Sequence, residues 1–372
     1  MYYASKALCN LAITKILDNE GFGFDVVSAG EIYTIKKAGV SMNKVLFNGN
    51  NKTAKELEYA IEVGVGRYSV DNFYEAELLN KLAEKQGKRV NILLRVTPGI
   101  DCHTHDYIQT GQIDSKFGFD LSQLNDIVSL VVNEYKNLNL VGLHAHVGSQ
   151  IFELKCLEDE IKILLKELQK IKEKFGIELT ELNLGGGFGV KYVDSDNPPS
   201  TDEVSNRIIN TFRNILDDDS FSKMTVYLEP GRSIVSTSGV TLYTVGSSKQ
   251  VPNGRKYVAV DGGMADNPRP SLYQAKYVAE LCNDITGREI ENVTLVGRYC
   301  ESGDVIIEDI NLPKLKPDDV LCIYNTGAYN YSMSSNYNRV EKPAMVLVNN
   351  SQSAIIVKRQ TYEQLVQNDM LP

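Results

Sequence analysis

Short apolar runs alternate with longer amphipathic stretches from residue 1 to about residue 230. The runs fall at 2–4, 24–27, 45–47, 68–70, 92–96, 140–146, 182–184 and 226–228. Helix-like segments lie between them, 72–86 and 157–175 for example, the latter with apolar residues at helical spacing. Many of the runs end in Gly, Ser, Asn or Asp, residues that turn the chain and cap a following helix. About eight β-then-α units in succession predict a parallel (β/α)8, TIM-like barrel. An open doubly wound sheet has the same periodicity and stands as the competitor.

Beyond Gly231 the texture changes to short β-branched and aromatic runs at 234–245, 256–260, 293–296, 305–307, 320–323, 344–348 and 354–357. Gly, Asn and Pro punctuate them, which predicts an antiparallel β domain. One helix is predicted inside it at 272–281 and another near the end at 361–368. The expected division is a barrel over 1–232 and a β domain over 233–372, packed together without a flexible linker.

Composition narrows the function classes. The formal net charge of −9 over 372 residues argues against nucleic acid or an anionic membrane as partner. No run of about 18 apolar residues is present to span a bilayer, and MYYASKALCNLAITK does not read as a secretion signal. The six cysteines lie far apart with no CxxC pair, which fits reduced thiols in a cytoplasm better than disulfides or a zinc site.

Candidate chemistry gathers at the ends of the expected barrel strands. LNLGGGFG at 182–189 follows the seventh run and LEPGRS at 228–233 the eighth. Phosphate sites of barrel enzymes sit after strands seven and eight. Gly185, Gly186 and Gly187 leave backbone N–H groups open to an anion, and Arg232 adds a fixed positive charge. A tight turn explains the same glycines, and no GK[ST] follows to make a nucleotide P-loop. Glu229 points from a strand end toward the barrel mouth, where it needs a cationic partner, either Arg232 or a protonated pyridine nitrogen. Lys6 also follows a strand, and a desolvated lysine amine attacks aldehydes; most lysines near a terminus are simply solvated. His103/His105 and His144/His146 are HxH pairs without an evident third metal ligand. His146 can instead stack on a flat ring, with Ser149 bonding a phosphate. Cys300 is either a buried structural thiol or, in its polar CESGD setting, a site residue.

Taken together the motifs resemble the diaminopimelate decarboxylases, within the ornithine-decarboxylase and alanine-racemase-like (fold type III) group of pyridoxal-phosphate enzymes. The resemblance runs from Tyr2 to about Gln364 in eight ordered blocks: YASKA, HTHDYIQTG with DSKFG, GLHAHVGSQ, LNLGGGFG, EPGRS, DGGMADNPRPSLY, CESGD and GAYNYSMSSNYN. The THxYIxTG and RPxLY blocks point to diaminopimelate within the group. The resemblance implies that Lys6 holds pyridoxal 5'-phosphate as a Schiff base, with Gly185, Gly186, Gly187, Gly231, Arg232 and Ser149 at its phosphate. It implies that His146 stacks on the ring and that Glu229 partners the pyridine nitrogen. Tyr329 would touch both cofactor and substrate. Arg232, Arg269, Tyr273 and Glu301 would contact substrate, and Cys300 would be a proton donor delivered by the partner subunit of a homodimer.

The implied reaction is decarboxylation of meso-2,6-diaminopimelate to L-lysine. A relative acting on another basic amino acid or on carboxynorspermidine, and a catalytically silent pyridoxal-phosphate-binding homologue, are the alternatives. The resemblance also implies a few dozen residues before the lysine, beginning the β domain, whereas Lys6 is sixth here. Tyr299 stands before Cys300 in a Gly-Arg-Tyr stretch where the family commonly has a proline after the glycine.

Overall fold

The computed structural model describes residues 1–100 and 115–372. Contacts divide the chain into two compact units. One comprises Met1–Gly189 and Asn197–Gly231, the other Val190–Asp196 and Arg232–Pro372.

In the first unit eight strands pair in parallel: β1 (Tyr2–Ala4), β2 (Gly23–Val26), β3 (Val45–Phe47), β4 (Arg67–Val70), β5 (Val90–Thr97), β6 (Leu138–His144), β7 (Glu181–Asn183) and β8 (Thr225–Tyr227). Each pairs with the next in sequence, so Tyr3 lies opposite Phe24 and Leu182 opposite Val226. The two-residue strand Phe119–Asp120 adds to β5. Closure separates a barrel from an open sheet. The Tyr2 N–H donates to Leu228 O at 2.9 Å and the Ala4 N–H to Pro230 O at 3.0 Å, joining the first strand to the chain leaving the last. Tyr2, Leu46 and Leu93, from alternate strands, pack with Val141 and Tyr227 into one layer of side chains, as a filled (β/α)8 interior requires.

The intervening helices begin where the sequence provides a cap. Ser28 accepts from the Glu31 N–H at the start of Ala29–Lys37, and Thr53 and Ser200 form capping boxes with Glu56 and Glu203. Gly64 and Gly176 end their helices in the left-handed conformation. The helix Lys155–Phe175 buries Leu157, Ile161, Leu164, Leu168 and Ile171 along one stripe.

That stripe includes an acid. Glu160 is fully buried, and neither carboxylate oxygen has a hydrogen-bond partner among the described residues. Burial, reinforced by the charge of Glu229, raises its pKa well above the ordinary range. A group raised in the folded state contributes its full stability only below its unfolded pKa and loses it as pH rises through the folded value. Glu160→Met is therefore expected to stabilise the protein at pH 8 by about 1–3 kcal/mol, with the gain shrinking toward pH 5. Thermal unfolding at both pH values checks this, and an equal gain at each would contradict the titration account.

The second unit holds a six-stranded sheet of β9 (Thr241–Gln250), β10 (Lys256–Val260), β11 (Ala279–Leu281), β12 (Ile290–Val296), β13 (Val305–Pro313) and β14 (Val320–Ile323), and a hairpin of β15 (Met345–Asn349) and β16 (Gln352–Val357). Tyr243, Val245, Val258, Val260, Val293, Leu295, Leu321 and Ile323 fill its core. The pairing is antiparallel, as expected, except that β10 and β12 run parallel. Two local expectations also change. Residues 234–245 are not one strand: Arg232–Val235 is a helical turn, and the strand starts at Thr241. Gly239 separates them because a Cβ there would meet the Gly327 backbone at 2.5–2.7 Å. The helix expected at 272–281 is Arg269–Tyr273, stopped by Gln274 at φ 52°, and Ala279–Leu281 is a strand.

Candidate active site

The C-terminal ends of the barrel strands, where barrel enzymes place their chemistry, carry a buried polar network. Lys6 occupies the short 3-10 turn Ser5–Ala7 directly after β1, between the buried residues Ser5 and Ala7. Its charge acts on Asp25, Glu31, His146 and Glu229. Those groups stand after or within β2 and after β6 and β8, so three separate stretches of sequence converge electrostatically on one amine.

Glu229 is the anion of this network. Its Oε1 accepts the Asn183 amide at 2.7 Å and lies 3.6 Å from His144 Nε2. Burial works against its charge, but the His144 ring beside it and the Lys6 charge outweigh that and bring the carboxyl to about 2. Asp25, buried in β2, goes the other way: burial and the Glu229 charge push it well above the ordinary carboxylate range. The two acids are pushed in opposite directions, a divergence that marks functional constellations.

His144, the last residue of β6, and His146 just beyond it are both held toward the neutral form. Burial lowers the pKa of His144, whose Nδ1 lies 2.6 Å from Ser69 Oγ. Burial and then the Lys6 and Arg95 charges lower that of His146 further. The His146 Nδ1 accepts the Gly186 N–H at 3.3 Å, so it carries a lone pair and the ring is an uncharged plane. Among the described residues no group of three or more His, Cys, Asp or Glu side chains is arranged to hold a metal ion. His103 and His105 lie outside the described residues, as does the whole HTHDYIQTG block.

The glycine turn after β7 is built by close backbone approach. A Cβ on Gly185 would stand 2.7 Å from His146 Nδ1, and one on Gly186 or Gly187 would collide with the carbonyl of Glu229 or Gly148. Gly185 and Gly187 have φ of +61° and +90°. The expectation of three open amides is corrected here. The Gly185 N–H donates to Asn183 Oδ1 at 2.9 Å and that of Gly186 to His146, so these two already stabilise the turn. Ser149 and Gly231 flank the same strand ends, Gly231 packing its α-carbon against Ala4 and Ala7.

The remaining candidates belong to the second unit. Arg232 is buried, with Nη1 donating to Tyr192 Oη at 2.8 Å and the guanidinium 4.7 Å from the Tyr329 ring centroid. Arg269 is buried too, 5.6 Å from the Tyr329 ring and 5.1 Å from the Tyr273 ring. Its Nε has no hydrogen-bond partner among the described residues. Tyr329 stands between two guanidiniums at φ +62°, a strained setting for a non-glycine residue. Cys300 and Glu301 are exposed. The Cys300 N–H donates to Asn338 Oδ1 at 3.0 Å, and the Tyr337 hydroxyl donates to Glu301.

Sequence reasoning passed over Asp25, Arg95, Asn183 and Tyr192. Asp25 and Arg95 had a usable signal: each is a charge inside an apolar strand, GFDVV and ILLRV, where a charged group survives only if it faces a polar interior.

A closed barrel whose strand ends carry an amine, a buried anion, a neutral imidazole plane and a glycine turn defines a pyridoxal-phosphate enzyme. The family model "Pyridoxal-dependent decarboxylase, pyridoxal binding domain" matches residues 1–236. The diaminopimelate decarboxylase of Bacillus subtilis is 45% identical over 99% of this chain and 84% of its own length, and that of Synechocystis 46% identical over 100% and 80%. Among solved structures, diaminopimelate decarboxylase from M. jannaschi superposes with a TM-score of 0.92 at 37% identity, covering all of this chain and 84% of that one. The Helicobacter pylori enzyme, solved in complex with L-lysine, gives 0.91 at 33% over 98% and 89%. The chain belongs to the diaminopimelate decarboxylase family.

Proposed function

We propose that the protein removes the carboxyl group at one end of meso-2,6-diaminopimelate and releases L-lysine. The observation that carries this reading is the gathering of Lys6, His146 and Glu229 at the barrel strand ends, with Glu229 Oε1 held by the Asn183 amide at 2.7 Å. Bound pyridoxal 5'-phosphate supplies an electron sink for the electrons left when carbon dioxide departs.

The residues fit that group on their own chemistry. Lys6 is the amine that would hold it, the neutral His146 plane would lie against its ring, and Glu229 would keep a proton on the ring nitrogen. The turn of Gly185, Gly186 and Gly187, with Ser149, Gly231 and Arg232, would take the phosphate. This assignment divides the chain into a pyridoxal-binding barrel over 1–232 and a β domain over 233–372.

Substrate recognition falls to Arg232, Arg269, Tyr273, Glu301 and Tyr329. The far end of diaminopimelate carries a carboxylate and an ammonium, so it calls for cation and anion together. Two buried guanidiniums and the Glu301 carboxylate provide both. Cys300 is assigned the return of a proton to the carbon that lost carbon dioxide, acting from the partner subunit of a homodimer in the cytoplasm. Among the described residues no helix is long and apolar enough to cross a membrane.

Purified protein supplied with the cofactor is expected to show a visible absorbance band and to convert diaminopimelate to lysine with release of carbon dioxide. Turnover of ornithine, arginine or carboxynorspermidine in its place would overturn the substrate, and no turnover of any of them would overturn the activity. The shared-site dimer has its own check. Mixing refolded Lys6→Ala and Cys300→Ala subunits is expected to restore about a quarter of the parent activity; no restoration would place Cys300 and Lys6 in one subunit's site.

A further inference from the structure

Two turns of the second unit carry residues assigned above. The stretch 261–268 leads into Arg269, and 297–304 carries Cys300 and Glu301. One buried side chain ties them together. Asp304 is only 3% exposed. Its Oδ1 accepts the Met264 N–H at 2.7 Å and its Oδ2 the Tyr299 N–H at 2.8 Å. The backbone repeats the connection, since the Arg298 N–H donates to Gly262 O at 3.0 Å, and Ser271 Oγ donates to Gly303 O at 2.8 Å.

The turns are shaped around this carboxylate. A Cβ on Gly263 or on Gly297 would collide with the Asp304 oxygens. Gly263 also has φ +148°, closed to most other residues. Tyr299 is held at both ends, by Asp304 at its N–H and by Asp266, whose Oδ1 lies 3.4 Å from its hydroxyl. Asp266 in turn accepts the Gly263 N–H at 2.9 Å and the Tyr243 hydroxyl. Cys300 therefore follows directly on a residue pinned twice.

We propose that Asp304 is a positioning residue: its carboxylate holds the Cys300-bearing turn and the Arg269-bearing turn in one register, so that the proton donor and the arginine are presented with fixed spacing. The inference rests on the roles assigned to Cys300 and Arg269 above. The chemistry requires an acid rather than an amide. Each carboxylate oxygen accepts, so two N–H groups from separate turns can converge on it. An asparagine offers one acceptor and turns its NH2 toward the second N–H, so one of the two turns is released.

The test is Asp304→Asn in the cofactor-loaded enzyme, assayed at 25 °C where thermal unfolding shows it folded. The expected result is a fall in kcat of about 10- to 100-fold, the scale of a misplacement near 1 Å. The visible band and the cofactor concentration for half-saturation should stay within about twofold, because the residues assigned to the cofactor ring lie outside these turns. A purely structural role would lower the melting temperature and leave kcat at 25 °C alone, and that result overturns the proposal. Should Asp304→Asn not fold, Gly297→Ala intrudes on the same carboxylate without changing charge and is expected to give the same pattern; normal turnover there overturns it equally.

Hydrogen exchange of the Met264 and Tyr299 amides, both of which donate to Asp304, followed by peptide mass spectrometry, separates this inference from the reading beneath it. If the parent releases no carbon dioxide, the proposed activity fails. Asp304→Asn should even then speed exchange of at least one of these two amides by about tenfold or more, because it loses a buried acceptor and opens locally, and unchanged rates at both refute the clamp.

Discussion

Lys6→Ala is expected to yield a folded protein with no visible absorbance band when the cofactor is supplied, and turnover lowered by about 10⁴-fold or more. The fold should survive because the Lys6 side chain is exposed while its neighbours Ser5 and Ala7 are the buried members of the turn. The chemistry should not survive, because Asp25, His146 and Glu229 are arranged around this particular charge. Absorbance spectra with and without borohydride, together with a carbon dioxide assay, measure both halves. A band that persists in the variant and is bleached by borohydride would move the amine elsewhere.

Glu229→Gln is expected to keep the protein folded and able to take up cofactor, while kcat falls by about 10²- to 10³-fold, the scale of losing one preorganised electrostatic partner. The glutamine oxygen can still accept the Asn183 amide, so the hydrogen bond at 2.7 Å is retained and the charge alone is removed. Since the carboxyl is held near 2, the contribution of its ionised form to stability is present above its unfolded pKa and is lost only as pH falls through that low value. Glu229 accordingly adds no limb to the pH–rate profile of the parent in the neutral range. Steady-state rates and cofactor titration at pH 7 test the assignment; a kcat within about threefold of the parent would remove Glu229 from the chemistry, since an essential charge contributes far more.

Much of the architecture was legible from pattern because it depends on local chemistry. A run such as Val45–Phe47 matched its strand to the residue, since three apolar residues between turn signals admit few alternatives. Helix starts followed Ser28, Thr53 and Ser200, whose side chains cap through contacts only three residues away. The readings that changed were those decided by distant partners. Residues 272–281 have helical composition, yet Ala279–Leu281 becomes a strand because β14 offers Leu321–Ile323 as a ladder partner. The glycine turn pointed correctly to a special loop, but two of its amides are spent on Asn183 and His146, which a glycine run cannot reveal.

The site divides in the same way. Lys6, His146 and Glu229 were visible because each ends an apolar run, and motif order carried the resemblance to a family. Asp25, Arg95 and Asp304 acquire their roles only from neighbours far along the chain. By itself, then, the amino-acid order determined the strand segments of the first unit, the β-then-α succession that makes a barrel, and the residue types at the strand ends. Tertiary structure alone decided that the barrel closes, through Tyr2 and Ala4 on the chain after β8, and that Glu229 and Asp25 are pushed in opposite directions. Periodicity is a property of neighbours in sequence, whereas closure and ionisation depend on burial and on charges brought together across more than two hundred residues.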